Sequence, residues 1–455
     1  EKTKITGKYN NYNIKFSLLT DKKNNFILNG EQKINISNFI DNKFIKNKIK
    51  GKSNWLYEIK IPGFNNSKDN INIKTISNLD GTSILYPEPL LKTKDSKIKT
   101  IVKAQFLNKK FSNIEVMYNN IYFESKSLNN FVGYINFSGY KLKLPKKGFN
   151  IFGKIDNFDL GKWKEFSGDN DINYFKYINR IDIIFSKFIN KDIIFDNLII
   201  KGENKVNSFE FTEISSNSKY ANINSFGLIE FDNITSFKIN LTSKNLEELL
   251  NYWKFKHGLR ESSIKSNFDI SWKGSLFDFD LSNIYGKFST NMKEGRLKKV
   301  GNRATRIFGL FNIDLLAKRL SLDFDDVTKN GFYFNTFDGD FRIENGSIFT
   351  TNLIIRGPSA EMLTVGTTDF INETYDMQVV ASPEFGETLP AIALLGGPIT
   401  AAATFAAEKL AKAFGKDIND LIKIKYKVTG SWDNPVIDII NKDSGVLDNI
   451  EDLFK

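Results

Sequence analysis

The stretch "FRIENGSIF", residues 341–349, holds the clearest fold signal in this chain. Apolar and polar residues alternate on both sides of the dipeptide Asn345-Gly346. Asn-Gly is the pair that best accepts positive φ at both central positions of a two-residue hairpin turn. The stretch therefore predicts two antiparallel strands joined by a tight turn.

The same alternation recurs along most of the chain. Runs of this kind are "YEIKI" (57–61), "INIKTI" (71–76), "YKLKL" (140–144), "FKINL" (237–241) and "FDFDL" (277–281). Turn signals that fall between such runs are Asp80-Gly81, Lys147-Gly148 and Glu294-Gly295. Antiparallel β-sheet is therefore predicted as the main element of the fold.

A loose unit also recurs, in which a Gly and any one residue precede an Ile or Phe that opens a strand. Its copies are "VGYINF" (132–137), "FGKIDNF" (152–158), "FGLIEF" (226–231), "YGKFST" (285–290) and "DGDFRI" (338–343). Their irregular spacing argues against a fixed-period solenoid or propeller. It favours a meander with variable insertions.

Helical patterns are few. In "NLEELLNYW" (245–253), Asn245 and Glu248 form a plausible cap pair. The apolar face of that helix consists of Leu246, Leu249, Leu250 and Trp253. A second helix is predicted over 303–320. So few helices cannot cover a half-polar sheet, which leaves either a sandwich of two sheets or a curled sheet with an open apolar face.

The residues needed for common catalytic chemistry are scarce. The 455-residue chain has no Cys, which excludes disulfides and thiolate metal sites, and its single His argues against zinc sites and the usual nucleophile–histidine pairs. His257 lies between basic residues and is expected to be solvated. "DNDIN" (169–173) imitates a calcium loop but has Tyr174 where that loop needs Gly. No catalytic residue, metal or cofactor is predicted.

The charge is uneven along the chain. Residues 1–150 contain 27 Lys and 11 acidic residues, whereas the remainder contains 37 basic and 42 acidic residues. A basic segment of this kind suits nucleic acid or anionic lipid headgroups. The lysines are scattered and no arginine cluster occurs, which favours solvated faces. We therefore predict no nucleic-acid partner.

Five motifs in a fixed order carry a family resemblance. They are "FDISWKGS" (268–275), "SLDF" (321–324), "DGDFRIENG" (338–346), "LPAIALLGGP" (389–398) and "TGSWDNP" (429–435). This set closely resembles the C-terminal region of the AsmA-like YhdP family of Gram-negative bacteria. Upstream, 241–255 and 152–166 resemble repeat units of the same family. The resemblance extends from about residue 130 onward.

The resemblance implies a mainly β fold, an elongated and twisted antiparallel sheet curled into an apolar groove, with a few short helices and a C-terminal helical hairpin. It divides the chain into a basic β-groove segment (1–130), AsmA-like repeats (131–300) and a C-terminal region (301–455) that contains the hairpin 389–414. The function it implies is that of a passive phospholipid conduit rather than an enzyme. The alternative is a non-transporting β-sandwich scaffold or outer-membrane assembly factor.

The resemblance also implies a location in the periplasm. The sequence begins at Glu1, without a Met or a signal-like segment, so an inner-membrane anchor upstream of Glu1 is expected. The C-terminal end is expected to reach the outer membrane. The predicted lipid-groove residues are Ile239, Leu241, Phe277, Phe279, Leu281, Phe341 and Ile343.

The hairpin 389–414 is unlike the rest of the chain because residues 388–407 carry no charge. Gly396, Gly397 and Pro398 divide it, so neither piece reaches the roughly 20 residues needed to span a bilayer. The predicted membrane-contact residues are Ile392, Leu394, Leu395, Ile399, Phe405, Leu410 and Phe414. Lys409 and Lys412, near the negative end of the helix dipole, are predicted to meet headgroups. A hairpin that plugs the groove is the open alternative.

Overall fold

The computed structural model describes residues 3–9, 12–22, 24–40, 43–63, 70–108, 110–126, 132–167, 174–255, 257–276, 278–297, 332–358, 360–383, 424–432 and 434–440. The chain divides into unit 1 (Glu1–Asn217) and unit 2 (Ser218–Lys455). The division falls within the predicted repeat segment 131–300, and the segment boundaries drawn from the sequence stay predictions. Both units are mainly β-strand, as predicted.

Unit 1 contains fifteen described strands and four short helices. The strands are β1 (Thr3–Tyr9), β2 (Tyr12–Thr20), β3 (Phe26–Ile34), β4 (Ile49–Gly51), β5 (Ser53–Ile61), β6 (Ile71–Ser77), β7 (Thr82–Ile84), β8 (Thr100–Leu107), β9 (Lys110–Tyr118), β10 (Ile121–Lys126), β11 (Val132–Asn136), β12 (Phe149–Asp159), β13 (Ile178–Asn190), β14 (Ile193–Asn204) and β15 (Ser208–Asn217). The helices are α1 (Lys43–Lys46), α2 (Leu160–Ser167) and two 3-10 turns, Ile36–Phe39 and Tyr174–Lys176.

Thirteen of these strands form one continuous ladder in the order β1-β2-β3-β5-β6-β8-β9-β10-β11-β12-β13-β14-β15. The short strands β4 and β7 pair separately. The pairings β11–β12 and β12–β13 are parallel, so the sheet is mixed rather than purely antiparallel. Parallel neighbours need crossovers, which residues 137–148 and helix α2 provide.

The strand predicted at 140–144 is wrong, because this segment belongs to the first crossover. The segment joins no ladder in the structure. The Leu142 amide donates to the Tyr134 hydroxyl at 2.8 Å, and Lys141 Nζ lies 2.7 Å from a Glu115 carboxylate oxygen. These contacts hold an extended chain against the polar face of the sheet. Alternation identified extended backbone here but not strand pairing.

Unit 2 contains eleven described strands. They are β16 (Asn222–Glu230), β17 (Ile234–Ser243), β18 (Leu259–Arg260), β19 (Ser263–Lys273), β20 (Ile284–Leu297), β21 (Phe332–Glu344), β22 (Ser347–Arg356), β23 (Ala360–Asp369), β24 (Thr374–Pro383), β25 (Ile424–Ser431) and β26 (Pro435–Ile439). Helix α3 spans Leu246–Tyr252, and a 3-10 turn spans Leu281–Asn283.

The ladder of unit 2 is antiparallel and runs β16-β17-β19-β20-β21-β22-β23-β24-β25-β26, with β18 beside β20. The hairpin predicted at 341–349 is confirmed. Asn345 and Gly346 have φ of 49° and 80°, and Glu344 pairs with Ser347. The continuous ladder in each unit fits a groove rather than two stacked sheets.

The strand predicted at 277–281 is wrong for its described residues. Asp278 accepts a hydrogen bond from the Ser275 amide at 2.7 Å, and Asp280 accepts one from the Ser282 amide at 2.8 Å. Such side chain–backbone bonds compete with a strand ladder. The chain therefore forms a loop and then the 3-10 turn.

The turn predicted at Glu294-Gly295 is also wrong, because both residues lie inside β20. Glu294 has a φ of 50°, which bends the strand there. Beyond this residue the pairing resumes with Gly295 opposite Phe334. The positive φ at Glu294 therefore lies within a strand and not in a turn.

Helix α3 confirms the prediction for 245–253. The Asn245 side chain accepts from the Glu248 amide at 3.2 Å, and the three leucines of the predicted face are buried. The predicted helices at 303–320 and 389–414 lie outside the described residues. Among the residues that the structure describes, no helix is long and apolar enough to cross a membrane.

Candidate functional site

The sheet of unit 2 has one apolar face, which we call the unit-2 apolar face. Its cross-strand register aligns apolar residues row by row, so that Ile239 pairs with Phe268, Phe268 with Phe288, and Phe288 with Phe341. Because side chains alternate along a strand, this alignment places all four on the same side. The face is therefore a continuous apolar surface that crosses several strands.

Exposure along this face changes from strand to strand. Ile239, Phe268 and Phe288 are only half-buried. Phe341 and Leu353 are buried in a core that also contains the leucines of helix α3. The β17–β20 part of the face is thus ordered and apolar yet remains partly open to contact.

Three aromatic rings stack across neighbouring strands, from the open part of the face to the buried Phe341. The rings of Phe268 and Phe288 have centroids 5.3 Å apart and planes inclined by 23°. Those of Phe288 and Phe341 are 4.5 Å apart and nearly parallel, at 9°. The stack fixes the ring orientations, so the surface is preorganised without a ligand.

The sheet of unit 1 has an equivalent surface, the unit-1 apolar face. One row runs through five paired residues, namely Leu28, Ile59, Ile73, Ala104 and Ile114. All five are half-buried. Each unit therefore presents the same arrangement, a wide apolar surface that its own side chains do not fully cover.

The recurring Gly-containing unit lies on these apolar faces. The register places all five of its glycines there, at positions 133, 153, 227, 286 and 339. At Gly227, an added Cβ would lie 2.2 Å from Cδ1 of Phe237 on the next strand. The ring occupies the space that a side chain would fill. The glycine therefore has a packing function that spacing alone did not reveal.

The opposite face of each sheet carries cross-strand ion pairs, although in unit 1 it also holds one apolar row, namely Leu56, Ile76, Ile101 and Met117. In unit 2, Lys238 and Asp269 form a cross-strand pair at 3.8 Å, and in unit 1, Lys201 and Glu213 form one at 2.8 Å. These side chains are exposed, so the pairs add little stability. Their role is to keep this face hydrated, which makes the sheet amphipathic.

One polar cluster in unit 1 is more buried. Glu115 accepts hydrogen bonds from the Tyr122 hydroxyl at 2.8 Å, from Lys141 at 2.7 Å and from Lys103 at 3.2 Å. Burial by itself raises the pKa of Glu115, but these three donors outweigh it and lower the pKa to about 2. The cluster fastens the 137–148 crossover to the sheet.

Some of the predicted groove residues lie on the unit-2 apolar face, and others lie outside the strands. Ile239, Leu241, Phe341 and Ile343 lie on the unit-2 apolar face. Phe279 and Leu281 are 50% and 54% exposed and lie outside the strands, although the Phe279 ring meets Trp272 edge-on at 5.2 Å. Phe277 lies outside the described residues. Lipid contact stays a prediction for all of them.

The predicted membrane-contact and headgroup residues lie outside the described residues. This set comprises Ile392, Leu394, Leu395, Ile399, Phe405, Leu410, Phe414, Lys409 and Lys412. Their roles stay predictions.

Sequence reasoning missed some of the central residues of this surface. Phe268, Ile270 and Phe288 lie in its half-buried part but were not named as groove residues. The alternation in "FDISW" (268–272) could have revealed the first two. Phe288 lies two residues after Gly286 in the recurring unit "YGKFST" (285–290), which was interpreted only as the start of a strand.

His257 is more enclosed than predicted. Its Nδ1 lies 3.0 Å from the Leu259 carbonyl oxygen, and its Nε2 lies 3.2 Å from Oδ1 of Asn251. Burial lowers the pKa of this ring. Among the described residues, no group of three or more His, Cys, Asp or Glu side chains is arranged to hold a metal ion. The extensive apolar faces are the surfaces to which a function can be assigned.

Comparison with known proteins gives these faces a context. The intermembrane phospholipid transporter YhdP of Escherichia coli (strain K12) is 25% identical over 205 residues, which cover 45% of this chain and 16% of that protein. The chain thus aligns with a small part of a much longer relative. No solved structure was found to match. A family model described as YhdP protein matches residues 169–437, more than half of the chain, and the chain therefore belongs to the YhdP family.

Proposed function

We propose that this chain is a section of a passive conduit that carries phospholipids between the inner and outer membranes. Acyl chains would lie along the apolar faces, and headgroups would stay in water. The half-buried rows through Ile239, Phe268 and Phe288 are the main support, together with the described activity of the E. coli relative. Contact with such a face removes acyl chains from water, which is favourable at about 0.8 kcal/mol per buried CH₂.

The proposal needs no chemical step. A lipid tail that moves along an apolar surface exchanges one set of nonspecific contacts for an equivalent set, so the energy along the path changes little. The polar faces suit an aqueous compartment, and we place the chain in the periplasm. An anchor in the inner membrane and contact with the outer membrane complete the proposed route.

Site-specific photo-crosslinking tests the proposal. A photoreactive amino acid at Ile239 faces the proposed lipid path, whereas one at the neighbouring Lys238 faces water. After irradiation in cells, mass spectrometry should find phospholipid attached at position 239 and not at 238. Equal or absent attachment at the two positions would contradict the conduit and favour a scaffold without lipid.

We further propose that the hairpin 389–414 contacts the acceptor membrane. It belongs to the segment 384–423, which joins the paired strands β24 and β25. Strands β17 and β24 run in the same direction, so the segment after β24 begins at the same end of the strands as the connection from β17 to α3. An insertion at the ends of the strands can meet a membrane without interrupting the ladder.

Paired substitutions test the hairpin. Ile399→Asp with Leu410→Asp should leave thermal unfolding and bound lipid unchanged but abolish binding of the protein to neutral phosphatidylcholine vesicles. Each buried side chain contributes about 1.5–3 kcal/mol to insertion. Thr400→Asp with Thr404→Asp, on the opposite predicted helix face, is the matched control. If the first pair unfolds the protein instead, the hairpin is a structural plug.

A further inference from the structure

A small subdomain at one end of the strands of the unit-1 sheet has a surface that is both apolar and basic. We call it the unit-1 cap and define it as residues 35–40, 43–52 and 78–99. Strand β4 pairs with β7 through Ile49 and Ile84, and the Leu85 amide donates to the Lys48 carbonyl oxygen at 2.8 Å. The 3-10 turn Ile36–Phe39 packs against α1 and β4. These contacts join the segments into one body.

The underside of the cap is fixed to the sheet. Leu79 is buried with Trp55 in the core of unit 1. Lys92 is only 2% exposed, and its Nζ donates to the carbonyl oxygens of Thr82 at 2.8 Å and Ser96 at 2.6 Å. A lysine held by main-chain carbonyls locks the loop conformation. The outer surface of the cap is therefore held in a defined shape.

Large apolar side chains point outward from this surface. Phe39, Ile45, Leu85 and Leu91 are 44%, 38%, 42% and 48% exposed, respectively. The bridge between Ile84 and Lys92 places Leu85 and Leu91 opposite each other on adjacent chain segments. A rigid body that holds several such side chains in water indicates a contact surface.

The cap has an excess of lysines. Residues 78–99 contain four lysines and three acidic residues, Asp80, Glu88 and Asp95. Residues 43–52 contain five lysines and no acidic residue. Of these, Lys43, Lys46, Lys50 and Lys52 are exposed. The long aliphatic stems of such lysines can lie on an apolar surface while their ammonium groups reach anions.

We propose that the unit-1 cap docks onto the surface of an anionic lipid bilayer. The lysines would meet headgroup phosphates, and Phe39, Ile45, Leu85 and Leu91 would enter the interfacial region. Nucleic acid would match the charge but would leave the exposed aliphatic side chains in water, which is why a bilayer fits better. The cap precedes the region that matches the YhdP family, and its docking does not depend on the conduit.

Vesicle flotation tests the docking. All variants carry Ile399→Asp and Leu410→Asp, so that the hairpin does not contribute. The charge variant is Lys43→Gln, Lys46→Gln and Lys50→Gln, and the apolar variant is Leu85→Ser and Leu91→Ser. The matched control is Lys4→Gln, Lys15→Gln and Lys74→Gln, three exposed lysines on the polar face of the sheet.

The parent, which carries only Ile399→Asp and Leu410→Asp, should bind phosphatidylglycerol-containing vesicles and not pure phosphatidylcholine vesicles. Salt at about 0.5 M should weaken binding, since it screens the charges. We expect the charge variant and the apolar variant each to bind about tenfold more weakly, and the control to bind like the parent.

Three outcomes would overturn the proposal. They are equal binding to neutral and anionic vesicles, an equal loss in the control, and binding to DNA without binding to anionic vesicles. The third would indicate a nucleic-acid partner. Thermal unfolding of each variant checks that it is folded. If the charge variant is unfolded, the salt dependence of the parent's binding to the two vesicle types decides whether the docking is electrostatic. Photo-crosslinking at Ile239 can succeed or fail independently of every one of these results.

Discussion

Phe288 offers the most direct test of the lipid path, because one position allows shape and charge to be changed separately. Phe288 is half-buried between the rings of Phe268 and Phe341. Phe288→Ala removes two ring contacts of about 0.5–1.5 kcal/mol each. It also removes roughly 1 kcal/mol of apolar burial. The expected loss of stability is about 2–4 kcal/mol, or roughly 4–16 °C in Tm for a unit of this size.

Phe288→Asp removes the same contacts and adds a carboxylate. In the empty protein the carboxylate stays hydrated on an open surface, so the stability of the two variants should be similar. A lipid tail would cover the charge, at a cost of several kcal/mol. A cost of about 3 kcal/mol corresponds to roughly 150-fold weaker lipid binding. The alanine variant, whose surface remains apolar, should bind lipid within a few-fold of the parent.

The assay is displacement of a fluorescent phospholipid from the purified protein, with thermal unfolding measured in parallel. Lys287→Asp is the matched control, since the neighbouring side chain lies on the polar face of the same strand. It should change neither lipid affinity nor Tm appreciably. If Phe288→Asp binds lipid as tightly as Phe288→Ala, acyl chains do not cover this face and the reasoning is wrong.

Substitutions at three further positions test the structural argument. The pKa of Glu115 is lowered from 4.5 to about 2, so the ionised carboxylate contributes roughly 3 kcal/mol to the free energy of unfolding above pH 4.5, and this contribution is lost as the pH falls toward 2. Glu115→Gln should therefore flatten the acid limb of a plot of unfolding free energy against pH. An unchanged limb would show that Lys141 does not stabilise the carboxylate. Gly227→Val would collide with the Phe237 ring and should cost about 1–3 kcal/mol in denaturant unfolding, whereas no loss would mean that the ring moves aside freely. Asn245→Ala should cost about 1 kcal/mol in the same measurement, and Asn245→Asp should recover it if capping is the cause.

The sequence predicted the local elements well where a local interaction decides them. The Asn345-Gly346 turn and the Asn245 cap were predicted because turn and cap geometry depend on a few adjacent residues. The loop at 278–280 was missed because alternation does not reveal that Asp278 and Asp280 bond to nearby amides.

Pairing partners were harder to predict than elements. Nothing local in 140–144 distinguishes a strand in a ladder from the crossover that the structure contains, since both are extended and alternate. The difference lies in distant residues such as Glu115 and Tyr134. The parallel pairing of β12 follows from two crossovers, whose placement depends on contacts between residues far apart in sequence.

The recurring Gly-containing unit connects these faces to the proposed function. Its irregular spacing excluded a fixed-period repeat, yet every copy places its glycine on an apolar face. At Gly227 and Gly339, the ring of Phe237 or Phe341 would touch an added Cβ, so the aromatic side chain lies across the glycine main chain. A ring held against the sheet contributes apolar area without projecting far into the space above it. A surface over which lipid tails slide needs this combination, because tall side chains at the same positions would narrow the path. This packing depends on the position of the glycine within its strand, and loops between strands can differ in length without affecting it.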